Sequence, residues 1–386
     1  MKGSSRKAEI AQKYAQPLPV VLSKSRIFSV LSFLGLSLTR INNPHCEGVF
    51  DPHTRSVWVS RSDDVVLLWR RGFFGKGDLS RSEPSWHTRR LKSNAKQMTS
   101  EEITAKRRAE RKQFKADRAK AIAAVAEEAE LIFATEGRVI APALSGPAIP
   151  SAATWKPSPQ APSEDPPPVE QDLAPSDNED ALEDDLVDVE HLQLTLQEAF
   201  FLCWTLDCLT ILDPHTSEPM SLEQIWTSFQ LVHLPPFISS LTPSTTTPLQ
   251  FDCPFLINYI VYHHYRSLGW VVKGGIKFCV DYLLYKRGPV FAHAEFALVV
   301  CPVYEDPGDQ IQSTLDLENS SPFPWSWLST INRVNSQVQK TLVLVYVTIP
   351  AKSRLSLDIL NTPACLAHYS ICEVILRRFI PARMRD

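Results

Sequence analysis

What the sequence lacks removes several classes of protein from consideration. Its eight cysteines are scattered without a CxxC pair, which argues against a zinc site or a disulfide framework and for reduced thiols in an intracellular protein. Even the apolar run at residues 27–38 is too short for a transmembrane helix. We therefore expect a hydrophobic core with no metal and no membrane segment. Four cysteines lie in apolar runs and are predicted to be buried: Cys203, Cys279, Cys301 and Cys372.

A nucleotide-binding loop is also missing. The run LWRRGFFGKG, residues 68–77, combines glycines with basic residues as a phosphate cradle does. Its GxxGxG spacing is not that of the P-loop, however, and no Lys-Ser or Lys-Thr pair follows. We interpret this run, with Trp69, Phe73 and Phe74, as an aromatic surface that packs on a partner rather than on RNA.

Charge is distributed unevenly, although the net charge is only −3. Basic residues far outnumber acids over residues 86–120, within a run free of Gly and Pro that predicts a long helix over residues 99–135. A charged helix of this kind is usually solvated, which is the interpretation we favour. The alternative is that it lies along RNA phosphates, where six residues would supply salt-sensitive affinity: Lys106, Arg107, Arg108, Arg111, Lys112 and Lys115.

Residues 141–190 have the opposite composition. They are rich in proline, alanine and acids, and Lys156 is the only base from Pro142 to Glu190. Such a segment cannot bury enough apolar surface to offset the entropy lost on ordering, so we predict a disordered spacer. Regular structure is predicted to resume after it, because Thr195 with Glu198 and Ser221 with Gln224 form capping boxes.

The C-terminal third has the clearest secondary-structure pattern. An apolar stripe beginning at Phe255 predicts a helix that Gly269 ends in the left-handed conformation. Two alternating runs follow, residues 277–285 and 293–300, and predict neighbouring strands. Tyr285 and His293 are thereby predicted on adjacent strands, either side of a tight connection.

A second helix and two strands are predicted after an acidic loop that follows Pro302. The helix carries an apolar stripe of Trp327, Ile331, Val334 and Val338. Lys340 stands where that helix gives way to the strand TLVLVYVTI. A last strand, CEVILRRFIPAR, is expected at an exposed edge, where it invites pairing with another subunit.

These residues carry a family resemblance. The stretch GWVVKGGIKFCVDYLLYKRGPVFAHAEF, followed by Lys340, resembles the signature of the catalytic domain of tRNA-splicing endonuclease subunits. The run LWRRGFFGKG with SRSEPSW resembles the N-terminal signature of the larger Tyr/His/Lys subunit of eukaryotes, which cuts the 5′ splice site. We expect a fungal source.

The resemblance implies an α/β fold of the mixed type. A restriction-endonuclease-like catalytic domain, with a mixed β-sheet flanked by helices, is expected over residues 251–386. A small subdomain, mainly helical, is expected at residues 191–250 and the disordered linker at residues 141–190. Before these we expect the long charged helix within residues 94–140 and an N-terminal region at residues 1–93.

The resemblance also implies RNA cleavage without a metal or another cofactor, by attack of the neighbouring 2′-hydroxyl. Tyr285 is then the general base, His293 the general acid, and Lys340 stabilises the charge that develops on the phosphate. Histidine exchanges protons near neutral pH and lysine is a compact cation, which suits both roles. Tyrosine has an ordinary pKa of about 10, so we expect a cation to ionise it, either Lys340, Lys286 or Arg287.

A magnesium-dependent nuclease of related fold is the rival chemistry. It requires an acid and then Glu-x-Lys on adjacent strands. Asp281 and Glu295 match part of that pattern, but Ala297 stands where the lysine is needed. We therefore reject this alternative on the sequence.

Further expectations concern RNA and partners. Arg333 and Phe379, beside Arg378, match positions that grip a nucleotide by a cation–π contact in the family, and Lys286 and Arg287 are expected to face the RNA. The implied partners are precursor tRNA, a second catalytic subunit and two structural subunits, with no DNA and no integral membrane segment. We expect the nucleus as the location, or the mitochondrial outer surface as in some fungi. The alternative function is that of a non-catalytic, structural or RNA-binding subunit of the same complex.

Overall fold

The computed structural model divides the chain into two compact units, Met1–Ser85 with Glu190–Asp386, and Trp86–Val189. It describes residues 2–23, 40–80, 83–94, 100–136, 188–233, 249–320 and 323–377. Most of the predicted disordered linker, together with Arg378 and Phe379, lies outside these described residues. Within the described ranges, no helix combines the length and the apolar character that crossing a membrane requires.

The elements are numbered in chain order. The helices are α1 (Lys2–Lys13), α2 (Ser62–Arg70), α3 (Trp86–Asn94), α4 (Ser100–Glu136), α5 (Leu196–Phe200, continued by the π-helical turn Phe201–Thr205), α6 (Leu222–Leu231), α7 (Pro254–Ser267), α8 (Pro307–Ile311) and α9 (Trp325–Gln337). The strands are β1 (Val21–Ser23), β2 (Arg40–Asn42), β3 (Cys46–Asp51), β4 (Ser56–Val59), β5 (Lys76–Gly77), β6 (Leu192–Thr195), β7 (Leu209–Leu212), β8 (Val271–Gly274), β9 (Tyr282–Tyr285), β10 (Phe296–Tyr304), β11 (Thr341–Ile349) and β12 (Ser370–Leu376).

The first large sheet is assembled from two distant parts of the sequence. Its strand order is β5-β6-β4-β3-β7, with only β3 and β7 parallel. Val57 and Val59 of β4 pack with Leu192 and Leu194 of β6 in one core. The sheet therefore joins segments that the sequence analysis assigns to the N-terminal region and to the small subdomain.

The capping boxes predicted at Thr195 and Ser221 are confirmed. The Thr195 hydroxyl accepts a hydrogen bond from the backbone N–H of Glu198, whose carboxylate accepts one from the N–H of Thr195. Ser221 and Gln224 make the same reciprocal pair at the start of α6. Each box satisfies two backbone donors that a helix start leaves free, which fixes where α5 and α6 begin.

The second large sheet confirms the predicted mixed sheet flanked by helices. Its order is β12-β11-β10-β9-β8, in which β10 and β11 are parallel and the other neighbours antiparallel. Helix α7 packs with one face, against Leu298 and Val343. The other face, through Ala297 and Leu342, packs with Ile331 of α9.

The helix predicted to end at Gly269 is confirmed as α7, and Gly269 has a φ of +89°. The long charged helix predicted over residues 99–135 is confirmed as α4, and most of its described side chains are exposed. That exposure is compatible with a solvated helix and with RNA contact, so both interpretations of α4 stay predictions.

Other details of the sequence analysis are wrong. Residues 276–278 form a 3-10 turn and Cys279 is left-handed, with a φ of 55°, so β9 contains only four residues. Of the four cysteines predicted to be buried, Cys301 is buried, Cys203 is half-buried, and Cys279 and Cys372 are exposed. The stripe on α9 is also misassigned, because Ile331 and Asn335 are buried whereas Val334 and Val338 are 37% and 42% exposed.

The aromatic run at residues 68–77 packs inside its own chain, and its interpretation as a partner surface is wrong. Trp69, Phe73 and Phe74 are all buried. The Arg266 guanidinium donates to the carbonyl of Gly72 (2.6 Å), and Lys273 donates to that of Gly75 (2.6 Å). The run is therefore fixed by contacts with residues nearly two hundred positions away.

His233 gives the fold a predicted sensitivity to acid. Burial, aided by the charge of Arg55, lowers the pKa of His233 from 6.5 to about 4, and its Nε2 has no hydrogen-bond partner among the described residues. The unfolded chain therefore binds a proton that the folded chain refuses between these two pH values. We expect the contribution of neutral His233 to the free energy of unfolding to be fully present above pH 6.5. As the pH falls towards 4, this contribution is lost, by at most about 3 kcal/mol.

The measurement is urea unfolding of the wild type and of His233→Leu at several pH values. The carboxylates that share a cavity of about 350 Å³ with His233 are common to both proteins, so their titration cancels in the difference. Parallel pH profiles for the two proteins would contradict the prediction.

Candidate active site

Strand β9 ends, and strands β10 and β11 begin, at the same edge of the second sheet. Leu284 of β9, Glu295 just before β10, and Thr341 of β11 form a row across the sheet. The backbone N–H of Glu295 donates to the carbonyl of Leu284 (3.0 Å), and the N–H of Thr341 donates to the carbonyl of Glu295 (3.0 Å). These two bonds bring the main chains around Tyr285, His293 and Lys340 to the same end of the sheet.

The row also gives a scale for the site. Tyr285 follows Leu284, and Lys340 precedes Thr341. Their strands are separated by β10, and neighbouring strands lie roughly 4.8 Å apart, so the two main chains are about 10 Å from each other.

Lys340 is held by the end of α9 and by the 3-10 turn at residues 276–278. Its backbone N–H donates to the carbonyl of Asn335 (3.0 Å), and its ammonium lies 4.5 Å from the centre of the Phe278 ring. The buried Asn335 amide donates to the carbonyls of Phe278 (3.3 Å) and Ile331 (3.0 Å). Lys340 is only 8% exposed and makes no ion pair within the described part of the chain, so its charge is available to an anion.

Tyr285 is half-buried at the end of β9 and packs against the apolar cluster that contains Phe278 and Ala294. Burial raises the pKa of its phenol above the ordinary value of 10. The cations that we expected to ionise it have no such effect in the chain by itself. The phenol is therefore protonated at neutral pH when no RNA or partner is bound.

His293 is exposed and lies in the loop between β9 and β10, residues 286–295, rather than on a strand. The prediction of two neighbouring strands failed there because β10 begins only at Phe296. The loop has its own hydrogen bond, from the N–H of Phe291 to the carbonyl of Gly288 (3.1 Å). It returns the chain to the sheet through Glu295, two residues after His293.

The predicted RNA-binding residues are distributed over two elements. Lys286 and Arg287 are exposed at the start of the loop, and the Arg287 guanidinium lies 4.5 Å from the centre of the Phe291 ring. Arg333 is exposed on α9. Because Arg378 and Phe379 lie outside the described residues, the nucleotide clamp stays a prediction.

Two residues at the site were missed by sequence reasoning. Phe278 was taken as part of a strand, and Asn335 was not recognised, although both hold Lys340. Asn335 occupies a position four residues after the buried Ile331 on the inner face of α9, where a polar side chain needs hydrogen-bond partners. That spacing was the signal that could have identified it.

Asp281, the acid considered for a magnesium site, is engaged in the sheet. Its carboxylate accepts a hydrogen bond from the N–H of Val300 (2.8 Å), and burial raises its pKa. It lines the cavity that also contains His233 and Asp316. These contacts give the Asp281 carboxylate a structural role, because it binds the backbone of β10.

Known proteins of similar sequence were found across most of the chain. Residues 255–354 match the family model described as tRNA intron endonuclease, catalytic C-terminal domain. The chain is similar to the probable tRNA-splicing endonuclease subunit sen2 of Schizosaccharomyces pombe, with 35% identity over 353 residues, 86% of this chain and 85% of the relative.

Two further relatives extend the comparison. The tRNA-splicing endonuclease subunit SEN2 of Saccharomyces cerevisiae is 32% identical over 369 residues, 86% of this chain and 84% of the relative. The tRNA-splicing endonuclease subunit Sen2 of Mus musculus is 34% identical over 197 residues, 51% of this chain and 36% of the relative. The similarity to the two fungal proteins thus includes the N-terminal part of the chain as well as the catalytic domain.

Proposed function

This chain belongs to the Sen2 family of tRNA-splicing endonuclease subunits and is an endonuclease, and we propose that it cuts intron-containing precursor tRNA at the 5′ splice site without a metal ion. The products are a 2′,3′-cyclic phosphate and a 5′-hydroxyl. The observation that supports this most is the row Leu284, Glu295 and Thr341, whose two hydrogen bonds bring the main chains of the three candidate catalytic residues to one end of the sheet.

The reaction is a transfer of the phosphoryl group from the 5′-oxygen to the neighbouring 2′-oxygen. A bond forms between the 2′-oxygen and phosphorus, while the bond between phosphorus and the 5′-oxygen breaks. Tyr285 removes the proton from the 2′-hydroxyl, and His293 gives a proton to the departing 5′-oxygen. Lys340 lies near the phosphate and stabilises the additional negative charge of the five-coordinate transition state.

Each side chain has a location that suits its role. His293 is exposed in a loop, where it can exchange a proton with water after each cut. Lys340 is buried enough to be kept from water, which strengthens its interaction with an oxyanion. Because burial raises the pKa of the Tyr285 phenol, its ionisation needs a cation that the bound complex brings close.

The enzyme is proposed to work as a heterotetramer with a second catalytic subunit and two structural subunits. Strand β12 is the last strand in the order of its sheet, and Val374 and Ile375 are exposed on it. An edge strand with exposed apolar residues favours pairing with another chain. We also propose that the complex acts in the nucleus, with the mitochondrial outer surface as the alternative.

The proposed chemistry is tested by purifying the complex with an affinity tag on this chain and adding intron-containing precursor tRNA. We expect the 5′ cut to persist in excess EDTA, because none of the proposed steps uses a metal. The upstream product should end in a 2′,3′-cyclic phosphate and the downstream product in a 5′-hydroxyl, as determined by phosphatase and kinase treatment of the purified fragments. Complete loss of the cut in EDTA, or a 3′-hydroxyl and 5′-phosphate at the ends, would refute the mechanism.

A further inference from the structure

The loop that carries His293 rests on aromatic side chains from the N-terminal part of the chain. We call Tyr14, Trp69, Phe73 and Phe291 the loop-support cluster. The Phe73 ring stacks on Tyr14, with ring centres 5.3 Å apart, and meets Trp69 edge-on at 5.8 Å. Phe291, two residues before His293, meets Phe73 at 6.4 Å and Tyr14 at 6.2 Å, edge-on in both cases. Three of the four rings thus come from the first 73 residues, far in sequence from the loop.

The closest approach to the loop is made at Gly288. A Cβ atom there would lie 2.2 Å from Cε2 of Phe73, so a residue larger than glycine would displace either the ring or the loop. Gly288 also has a φ of +125°, a conformation that other residues rarely adopt. Phe73 and Gly288 are therefore packed against each other with no space between them.

Phe73 itself is held on its other side. It has a left-handed φ of 59°, which is uncommon for a large side chain, and its N–H donates to the carbonyl of Trp69 (3.0 Å). The preceding Gly72 carbonyl accepts from Arg266 of α7 (2.6 Å). The backbone that carries the Phe73 ring is therefore fixed by hydrogen bonds, one of which comes from α7.

Tyr14 is fixed in a similar way. Its hydroxyl donates to one oxygen of the Glu83 carboxylate (2.9 Å), and the Lys13 ammonium contacts the other oxygen (2.9 Å). Tyr14 and Phe73, the two rings that contact Phe291, are therefore each held by their own hydrogen bonds. A loop packed on such a surface keeps fewer conformations than an exposed loop of the same length.

We propose that Phe73 is a positioning residue for the RNA-cleavage step, which acts by holding the loop 286–295 so that His293 meets the leaving 5′-oxygen. The proposal rests on the proposed function, because it gives His293 the role of general acid. It assigns a catalytic purpose to the N-terminal aromatic run, since the general acid lies on a loop and needs external support. Displacement of a reacting group by about 1 Å can lower a rate by roughly 100-fold.

Phe74 supplies a matched control. It is as buried as Phe73 and is its neighbour in the sequence, but its ring contacts Phe201 (6.3 Å between ring centres) and the Arg266 guanidinium (4.2 Å). Phe73→Leu and Phe74→Leu therefore remove similar volumes from the core. Only the first removes a contact with the His293 loop.

The experiment uses the complete complex and precursor tRNA in single-turnover assays of both cuts. The cut at the 3′ splice site, proposed to be made by the second catalytic subunit, reports on assembly and tRNA binding in the same reaction. A second substrate carries sulfur in place of the bridging 5′-oxygen at the 5′ site. A thiolate leaves without needing a proton, so this substrate does not depend on a general acid.

We expect Phe73→Leu to slow the 5′ cut of the oxygen substrate by about 10- to 100-fold and to leave the 3′ cut unchanged. The same variant should cut the sulfur substrate at close to the wild-type rate. Phe74→Leu should slow the 5′ cut of the oxygen substrate much less than Phe73→Leu does, because the Phe74 ring contacts Phe201 and Arg266 rather than the loop. If Phe73→Leu prevents assembly, Gly288→Ala disturbs the same contact from the loop side and should give the same pattern.

Three outcomes would overturn the proposal. They are an unchanged 5′ cut in both Phe73→Leu and Gly288→Ala, an equal loss on the oxygen and sulfur substrates, and an equal loss in Phe74→Leu. A parallel assay of His293→Ala separates this result from the proposed function. If His293→Ala cuts the oxygen substrate normally, the role of His293 is wrong, whatever Phe73→Leu does.

Discussion

Replacement of His293 by alanine slows the 5′ splice-site cut by about 10²- to 10⁴-fold, the usual effect of removing a general acid. This is the expected result because the 5′-oxygen would otherwise leave as an alkoxide, which is a poor leaving group. The imidazole is exposed in its loop, so its removal leaves no cavity in the core and tRNA binding should change little. The measurement is the single-turnover rate constant of the complex, with the 3′ cut followed in the same reaction.

His264→Ala is the matched control for this variant. His264 is also partly exposed and lies on α7, where its imidazole is 3.4 Å from the Glu373 carboxylate and remote in sequence from the loop. We expect its 5′ cut to stay within about twofold of the wild type, as for most surface substitutions. A wild-type rate in His293→Ala would favour the alternative in which this chain is a non-catalytic subunit and another chain supplies the acid.

Removing the ammonium of Lys273 is expected to lower the free energy of unfolding by about 3 kcal/mol, the lower end of the range for breaking a buried ion pair, because the Lys273 side chain is 16% exposed. Lys273 on β8 donates to the Glu198 carboxylate (3.1 Å) and to the Gly75 carbonyl (2.6 Å). Burial lowers the pKa of Lys273, and Glu198 partly opposes that effect. In Lys273→Met the buried Glu198 carboxylate keeps only neutral donors, among them the N–H of Gly75 (3.1 Å).

Urea unfolding of the purified chain measures this loss. Lys277→Met is the matched control, since Lys277 is exposed one turn later in the same region and should change stability by less than about 0.5 kcal/mol. The double variant Lys273→Met with Glu198→Gln should recover part of the stability, because both charges are then gone. A loss below about 1 kcal/mol in Lys273→Met would mean that water reaches the pair.

Local signals in the sequence predicted local structure well. The capping boxes at Thr195 and Ser221 and the left-handed Gly269 each depend on residues within one helical turn, and all three are confirmed. The junction that carries Lys340, between α9 and β11, was predicted for the same reason. Such features depend on residues that are close together in the sequence, so a short stretch of sequence is enough to predict them.

The alternation rule failed where the backbone leaves the sheet. Residues 277–281 alternate as a strand does, but Cys279 adopts a left-handed conformation and the N–H of Gly275 donates across the turn to the carbonyl of Asp281 (2.9 Å). Phe278 and Val280 of this segment still pack with the core, although Ile276 and Cys279 are exposed, so alternating burial persists here without an extended backbone. Alternation therefore indicates which side chains are buried more reliably than it indicates an extended backbone.

Contacts between distant residues were not predictable from the sequence. Phe73 meets Gly288, and Gly72 accepts from Arg266, across about two hundred residues in each case. An aromatic run beside glycines is equally compatible with a partner surface and with an internal contact. For the candidate site, residue types were predictable through the family resemblance, whereas the loop location of His293 and the supports of Lys340 required the structure.

The pairing of β5 with β6 has a consequence for the length of the segment between them. Lys76 pairs with Gln193 and Gly77 with Leu192. Just beyond, the N–H of Asp78 donates to the carbonyl of His191 (3.2 Å), and the N–H of His191 donates to the Asp78 carboxylate (3.2 Å). The chain thus departs from the sheet and returns to it at adjacent points. We therefore expect a tag inserted within residues 86–189 to leave the register of β5 and β6 unchanged.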